Sequence, residues 1–225
     1  NRISKFEGNK DIQFGYEKLG PLYYGFLKHI QKIAIEKKCE HIYFFSRDGY
    51  IISKAYNEKF LNDKISNSYL YVSRRAIVVP SLVCNYELKG IIKVLGIKSK
   101  DSILSFFLRV GLNIDIYSEV LSKLNLNKTD LIKGNSSKFE DLFNIIRQDI
   151  VTNAQKELLK FKEYLIQEKI DQYNKVLIVD IGWRGSMQYS LEKILKILDI
   201  NTELYGVYLG LNKESESFIK EGMKA

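Results

Sequence analysis

Residues 175–194 read KVLIVDIGWRGSMQYSLEKI. Val176, Leu177, Ile178 and Val179 form an apolar run without alternation, the pattern of a strand buried on both faces of a parallel sheet. The run ends in a carboxylate, Asp180. Gly182 and Gly185 then admit backbone angles that other residues resist. Ser186 is placed to cap a helix whose inner face carries Leu191, Ile194 and Leu195. A strand, a glycine-containing loop and a helix N-terminus cradle an anion well, because open N–H groups and the helix dipole both favour negative charge. An ordinary strand-to-helix turn can share this pattern. The acid at the strand end, with Arg184 and Ser186 in the loop, favours a ligand site.

Outward from this run the chain alternates. Gly20-Pro21 opens a helix in which Leu22, Phe26, Ile30 and Ile33 recur at helical spacing to about Lys37. HIYFF, residues 41–45, reads as a second buried strand. It closes in Ser46, Arg47, Asp48 and Gly49, before a helix over residues 51–60. SYLYVS, residues 68–73, is a strand ending in Arg74 and Arg75. Between Pro80 and Ile150 apolar residues recur every three or four positions, with breaks near Gly111 and in KGNSSK, residues 133–138. This predicts several helices inserted between strands. An amphipathic helix follows over residues 150–169, then the opening strand and its helix, then a fourth strand, ELYGVYL, residues 203–209. The tail after Asn212 is polar.

This order predicts an α/β fold: a doubly wound, mainly parallel sheet built from residues 1–80 and 150–225, with residues 81–149 inserted as a helical hood. Ligands of such sheets bind outside the carboxyl ends of the strands. That rule gathers Arg47 with Asp48, Arg74 with Arg75, and Asp180 onto one rim. Ser-Arg-Asp-Gly alone could be only a turn, and Arg-Arg only a surface pair. Their placement at successive strand ends predicts an anion site.

Composition narrows the function classes. The 225 residues are 45% hydrophobic, enough for a full core. A net charge of +8, from 35 basic and 27 acidic residues, reads first as a solvated lysine-rich surface and second as attraction to anionic substrates or lipid surfaces. Nucleic acid is not an expected partner, since no basic-aromatic binding motif occurs. No apolar run reaches membrane-spanning length, so no transmembrane segment is expected, and no signal peptide opens the chain. A start at Asn1 and a stop at Ala225 suggest a piece of a longer protein. Cys39 and Cys84 lack CxxC or metal spacing and are expected to be reduced core residues of a cytoplasmic protein. His29 and His41 lack HxxxH or HExxH context and are not expected to bind metal.

FFSRDGY (residues 44–50), YVSRRA (71–76) and VDIGWRGSMQ (179–188), with Gly20-Pro21 ahead of an N-terminal helix, resemble a domain of bacterial surface-polysaccharide proteins. There it often follows a haloacid-dehalogenase-type phosphatase domain or accompanies glycosyltransferase domains. The order of elements is also similar to type I phosphoribosyltransferases. That resemblance implies phosphoribosyl pyrophosphate as donor, Mg²⁺ as cofactor, and the hydroxyl of a glycan or lipid-linked glycan as acceptor, in capsule or O-antigen assembly. Ser46, Arg47 and Gly49, with Arg74 and Arg75, would hold the diphosphate. Asp180 would bind the ribose hydroxyls and steady the cationic ring. Gly182, Trp183, Arg184, Gly185, Ser186 and Gln188 would form the 5-phosphate cradle. Asp48 is the nearest candidate base for the acceptor hydroxyl.

The chain departs from the phosphoribosyltransferase pattern at Ile181, where a second acid is usual, and at Trp183 and Arg184, where small residues and threonines are usual. Two alternatives follow: a catalytically silent module that binds a phosphorylated ligand or a partner domain, and a phosphohydrolase. Dehalogenase-type phosphatases need DxD directly after a strand. Asp48 is followed by Gly49 and Tyr50, and no other strand end offers the motif. If a phosphatase domain exists, it is expected upstream of Asn1; the resemblance implies such a domain and other glycosyltransferase domains as partners. The implied location is cytoplasmic, at the inner membrane face through those partners. The hood would choose the acceptor.

Overall fold

A computed structural model describes residues 9–60, 65–84 and 87–225. Strands β1 (His41–Phe45), β2 (Ser66–Leu70), β3 (Lys175–Trp183) and β4 (Glu203–Leu211) form one sheet in the order β2-β1-β3-β4, every pair parallel. Helices α1 (Lys10–Phe14) and α2 (Gly20–Glu36) precede β1, and α3 (Gly49–Lys59) joins β1 to β2. After β2 come α4 (Arg74–Ser81), α5 (Leu88–Leu95), α6 (Ile103–Val110), α7 (Ser118–Lys123) and α8 (Ser136–Gln167). Helix α9 (Ser186–Ile197) joins β3 to β4, and α10 (Glu216–Lys220) lies near the end.

The expected doubly wound α/β sheet is present, and its cause is visible in the register. Ile42 pairs with Leu177, Tyr43 with Ile178 and Phe44 with Val179. Successive strand side chains point to opposite faces, so two apolar runs without alternation supply both faces at once. Tyr43, Phe45, Val176 and Ile178 pack on Ile77 of α4, Leu158 and Phe161 of α8, and Leu191 and Ile194 of α9. Ile42, Phe44, Leu177 and Val179 pack on Phe26 and Ile30 of α2 and on Ile52 and Tyr56 of α3. A third core lies among the inserted helices, around Phe106, Phe107, Phe139 and Ile146. From β1 the chain moves outward to β2, then returns past β1 to β3. The winding therefore reverses between β1 and β3, and the carboxyl ends of those two strands flank the crevice where such sheets bind ligands.

Several boundaries differ from the sequence reading. β2 is residues 66–70, not 68–73, because the chain leaves the sheet at Tyr71 and Ser73 becomes the N-cap of α4, accepting from Ala76 N at 3.1 Å. α3 begins at Gly49. β3 and β4 continue past the rim, with Gly182 still paired to Gly210 and Trp183 to Leu211. α8 starts at Ser136, so position 150 lies inside one unbroken helix. Its Ile146 and Ile150 belong to the insertion core, and its Leu158 and Leu165 to the sheet core. The tail is polar in composition yet anchored by buried Phe218 and Met223. The N-terminal span expected for the core includes residues 1–8 and 61–64, which lie outside the described residues.

Cys39 is buried as expected, but Cys84 is exposed, because the short turn that ends α4 (Leu82–Cys84) puts Leu82 inward. His41 is structural. It is buried, Nδ1 lies 2.7 Å from Ser66 Oγ and Nε2 2.9 Å from Ser68 Oγ, and burial pushes its pKa down to about 4. Among the described residues no helix is long and apolar enough to cross a membrane.

Candidate functional site

The loop after β1 is tied to the segment after β2 through one side chain. Ser46 Oγ donates to the Val72 carbonyl and accepts from Val72 N at 2.9 Å, and Ser46 N reaches Leu70 O at 3.1 Å. The Ser46–Arg47 peptide is cis. Gly49 is buried: a Cβ there would stand 3.2 Å from the Phe44 carbonyl carbon, so glycine lets α3 start tight against β1. Arg47 and Asp48 project into solvent, and neither side chain has a hydrogen bond or ion pair among the described residues.

Capping by Ser73 sets the start of α4 and places Arg74 and Arg75 in its first turn. Neighbours on a helix diverge by about 100°, so the two arginines cannot face the same way. Arg74 faces the rim. Arg75 turns aside and grips Glu157 of α8 with both terminal nitrogens, at 3.1 and 2.7 Å.

Asp180 stands half-buried on β3 beside the β1 loop. Burial pushes its pKa up to about 6. The Gly182 and Ile181 N–H groups oppose this, the Asp48 carboxylate adds to it, and Arg74 draws it back. The N-cap of α9 corrects the sequence reading. Gly185, at φ 74°, occupies the cap and Ser186 is the first helical residue, 2% exposed. Among the described residues no side chain caps this helix, so its dipole and open N–H groups face the loop.

One cleft of 640 Å³ receives these groups: Ser46, Arg47 and Asp48 from the β1 loop, Arg74 from α4, and Asp180, Gly182, Arg184, Gly185 and Ser186 from β3 and its loop. Its cationic residues are Arg47, Arg74 and Arg184. The last is partly committed, donating from Nη2 to Lys93 O at 2.9 Å with Nε 2.5 Å from a Glu214 carboxylate oxygen. Sequence reasoning missed Tyr71 and Met187, which also line the cleft. Tyr71 sits three residues before Arg74 at the end of a strand pattern, which was a usable signal. Met187, inside a helix start, gave none.

Four expected site residues do not line this cleft. Gly49 is beneath it, against Phe44. Arg75 is held by Glu157. Gln188 is fully buried under the cradle, donating to Glu192 at 2.8 Å and Lys224 O at 2.9 Å and accepting from Tyr208 at 2.7 Å. It supports the loop rather than a ligand. Trp183 is 62% exposed and points into an adjoining hollow, because side chains alternate along β3 and its overrun past Gly182 carries the indole to the far side.

The Asp48 carboxylate helps to raise the pKa of Asp180, and among the described residues no group of three or more His, Cys, Asp or Glu could complete a metal cage. Two carboxylates suit Mg²⁺, which takes one or two from a protein and completes its shell with phosphate oxygens and water. No protein-family model matches the chain, and no curated protein matches it.

Proposed function

We propose that the chain is a phosphoribosyltransferase-like glycosyltransferase, moving ribose 5-phosphate from phosphoribosyl pyrophosphate to a glycan hydroxyl. One observation carries this reading. Among the described residues, a helix N-terminus without a side-chain cap, a half-buried carboxylate and two unpaired arginines, Arg47 and Arg74, border a single cleft at the point where the sheet's winding reverses. A phosphate, a ribose and a diphosphate need those three kinds of group. The resemblance of the loop sequences to surface-polysaccharide proteins supports a glycan acceptor and a cytoplasmic setting beside partner domains.

In this mechanism the first-turn N–H groups of α9, at Gly185 and Ser186, hold the 5-phosphate. Asp180, ionised above about pH 6, holds the ribose hydroxyls and favours positive charge on the ring. Arg47 and Arg74 stabilise charge growing on the departing pyrophosphate. Mg²⁺, when bound, would neutralise part of that diphosphate charge. The bond from ribose C1 to pyrophosphate oxygen breaks, the bond from C1 to the acceptor oxygen forms, and the acceptor proton passes to Asp48 or to water.

The test is to incubate the chain with the donor, Mg²⁺ and a panel of glycan acceptors, then analyse products by mass and NMR. Nothing in the cradle removes the 5-phosphate, so the expected product keeps it, in β linkage from an α-linked donor. A dephosphorylated ribosyl product would support the phosphohydrolase reading. Binding of the donor without turnover would support a silent module, which Ile181 in place of a second acid favours.

A further inference from the structure

Beside the anion cleft lies a second hollow, also of 640 Å³, which shares Arg74 and Arg184 with it. It opens between the inserted helices and the ends of β3 and β4. Trp183 forms one wall. The overrun of β3 carries the indole across Gly210, where a Cβ would stand 3.2 Å from Cζ3. One edge of the ring thus rests on bare backbone while the side chain stays 62% exposed. Leu108 of α6, 63% exposed, adds apolar surface to the same hollow.

Four of the five cations lining this hollow are already paired with acids, and one of the four, Lys98, lies 4.0 Å from Glu214. Arg109 pairs with Asp101 at 3.3 Å and donates to the carbonyls of Leu95 and Gly96. Arg184 pairs with Glu214, and Arg75 with Glu157. Arg74 has no acidic partner within ion-pair distance among the described residues, and it stands at the border with the anion cleft. Asn212 accepts from Glu214 N at 3.0 Å, and among the described residues its amide nitrogen has no acceptor, so it can donate. An acidic ligand would compete with these internal acids for the same cations. A neutral ligand with an apolar face and a hydroxylated edge would not.

We propose that this hollow binds a neutral pyranose residue of a glycan, with the C–H face of the ring on the Trp183 indole and its hydroxyls toward Asn212 and Asp101. The shared arginines put the next hydroxyl at the mouth of the anion cleft. The proposal names the acceptor class of the transferase and in that respect rests on it, but sugar binding here stands separately from turnover.

Trp183 is the sole tryptophan of the chain, so intrinsic fluorescence reports this hollow directly. The chain is titrated with neutral oligosaccharides of glucose, galactose or mannose and with uronic-acid oligosaccharides, and saturation-transfer NMR follows the same sugars on variants. A neutral sugar is expected to give a saturable emission change. Trp183→Ala should weaken its binding about tenfold or more, Trp183→Phe less, and Gly210→Val should weaken it by displacing the indole. Unchanged melting temperatures would exclude misfolding of the exposed-site variants. No saturable response from any neutral sugar, tighter binding of the acidic sugars, or wild-type binding by Trp183→Ala would overturn the proposal. Binding through Trp183 without phosphoribosyl transfer would leave the subsite standing and refute the transferase. Transfer with an unchanged acceptor KM in Trp183→Ala would do the reverse.

Discussion

Asp180 carries two opposed demands. The proposed transferase wants its carboxylate at the ribose, yet burial resists its charge and lifts its pKa to about 6. A folded-state pKa above the unfolded value means that the folded chain holds the proton more tightly. The ionised group therefore destabilises the fold above about pH 6, and the penalty disappears as pH falls toward the ordinary carboxylate value near 4. Asp180→Asn should raise the ligand-free melting temperature at pH 8 and lose that advantage near pH 4, while turnover falls by about 10²-fold or more. A scan of melting temperature against pH, beside an assay of phosphoribosyl transfer, checks both halves. The arginines divide in the same way, by partner. Arg47→Ala and Arg74→Ala should each weaken donor binding about 10- to 100-fold, the range for hydrogen bonds to charged groups. Arg75→Ala should leave donor affinity unchanged and cost at most about 1 kcal/mol of stability, since it removes an exposed ion pair. Calorimetric titration of the three variants separates these outcomes. The sequence showed two arginines at a strand end but not which one faces the cleft. That depends on helix phase, which Ser73 fixes by capping α4, and on Glu157, which lies far along the chain.

At the scale of elements, the cradle depends on glycines that are not equivalent. Gly182 sits at φ 132°, and a Cβ there would come within 2.1 Å of the Gly210 carbonyl oxygen. Backbone cannot swing aside as a side chain can, so Gly182→Ala must part the ends of β3 and β4. About 3 kcal/mol is expected, from overpacking and a disfavoured backbone acting together. Gly185, at φ 74°, would meet only the tip of Met223. Gly185→Ala should cost about 1–2 kcal/mol, mainly backbone conformation. Urea denaturation of the two variants tests the order. Legibility followed burial here. β1 and β3 were plain in the sequence because both faces are covered and their residues are continuously apolar. β2 was misplaced because residues 66–68, Ser-Asn-Ser, pair in the sheet through backbone and through His41, with no apolar signal. The overrun of β3 was hidden because Gly182 reads as a loop residue while its backbone still pairs. The start of α8 was hidden because KGNSSK looks like a break, and the helix begins inside it at Ser136.

Across the whole molecule, the rim site was legible because it follows from topology, and topology follows from the alternation of strands and helices. What supports the rim was not, because it comes from the polar tail. Two apolar residues of that tail, Phe218 and Met223, join the insertion core and reach the cradle. Phe218 lies fully buried with Tyr189 of α9 at 4.6 Å and the Arg184 guanidinium 6.0 Å from its ring centre. The same tail supplies Glu214 to Arg184, and its Lys224 carbonyl receives both Gln188 and Gly206 N. The N-terminus of α9 is thus held by residues that lie after the last strand. Phe218→Ala should cost about 3–5 kcal/mol, as for other buried aromatics cut to alanine. If the tail serves only as a lid on the core, that loss should leave donor affinity untouched in whatever fraction stays folded. If it positions the cradle, amide exchange at Gly185 to Met187 should quicken and donor affinity should fall, with Phe218→Leu recovering part of both. Hydrogen exchange measured with and without phosphoribosyl pyrophosphate distinguishes the two, and the contacts of Arg184 with Phe218 and Glu214 make loosening of the cradle the expected result.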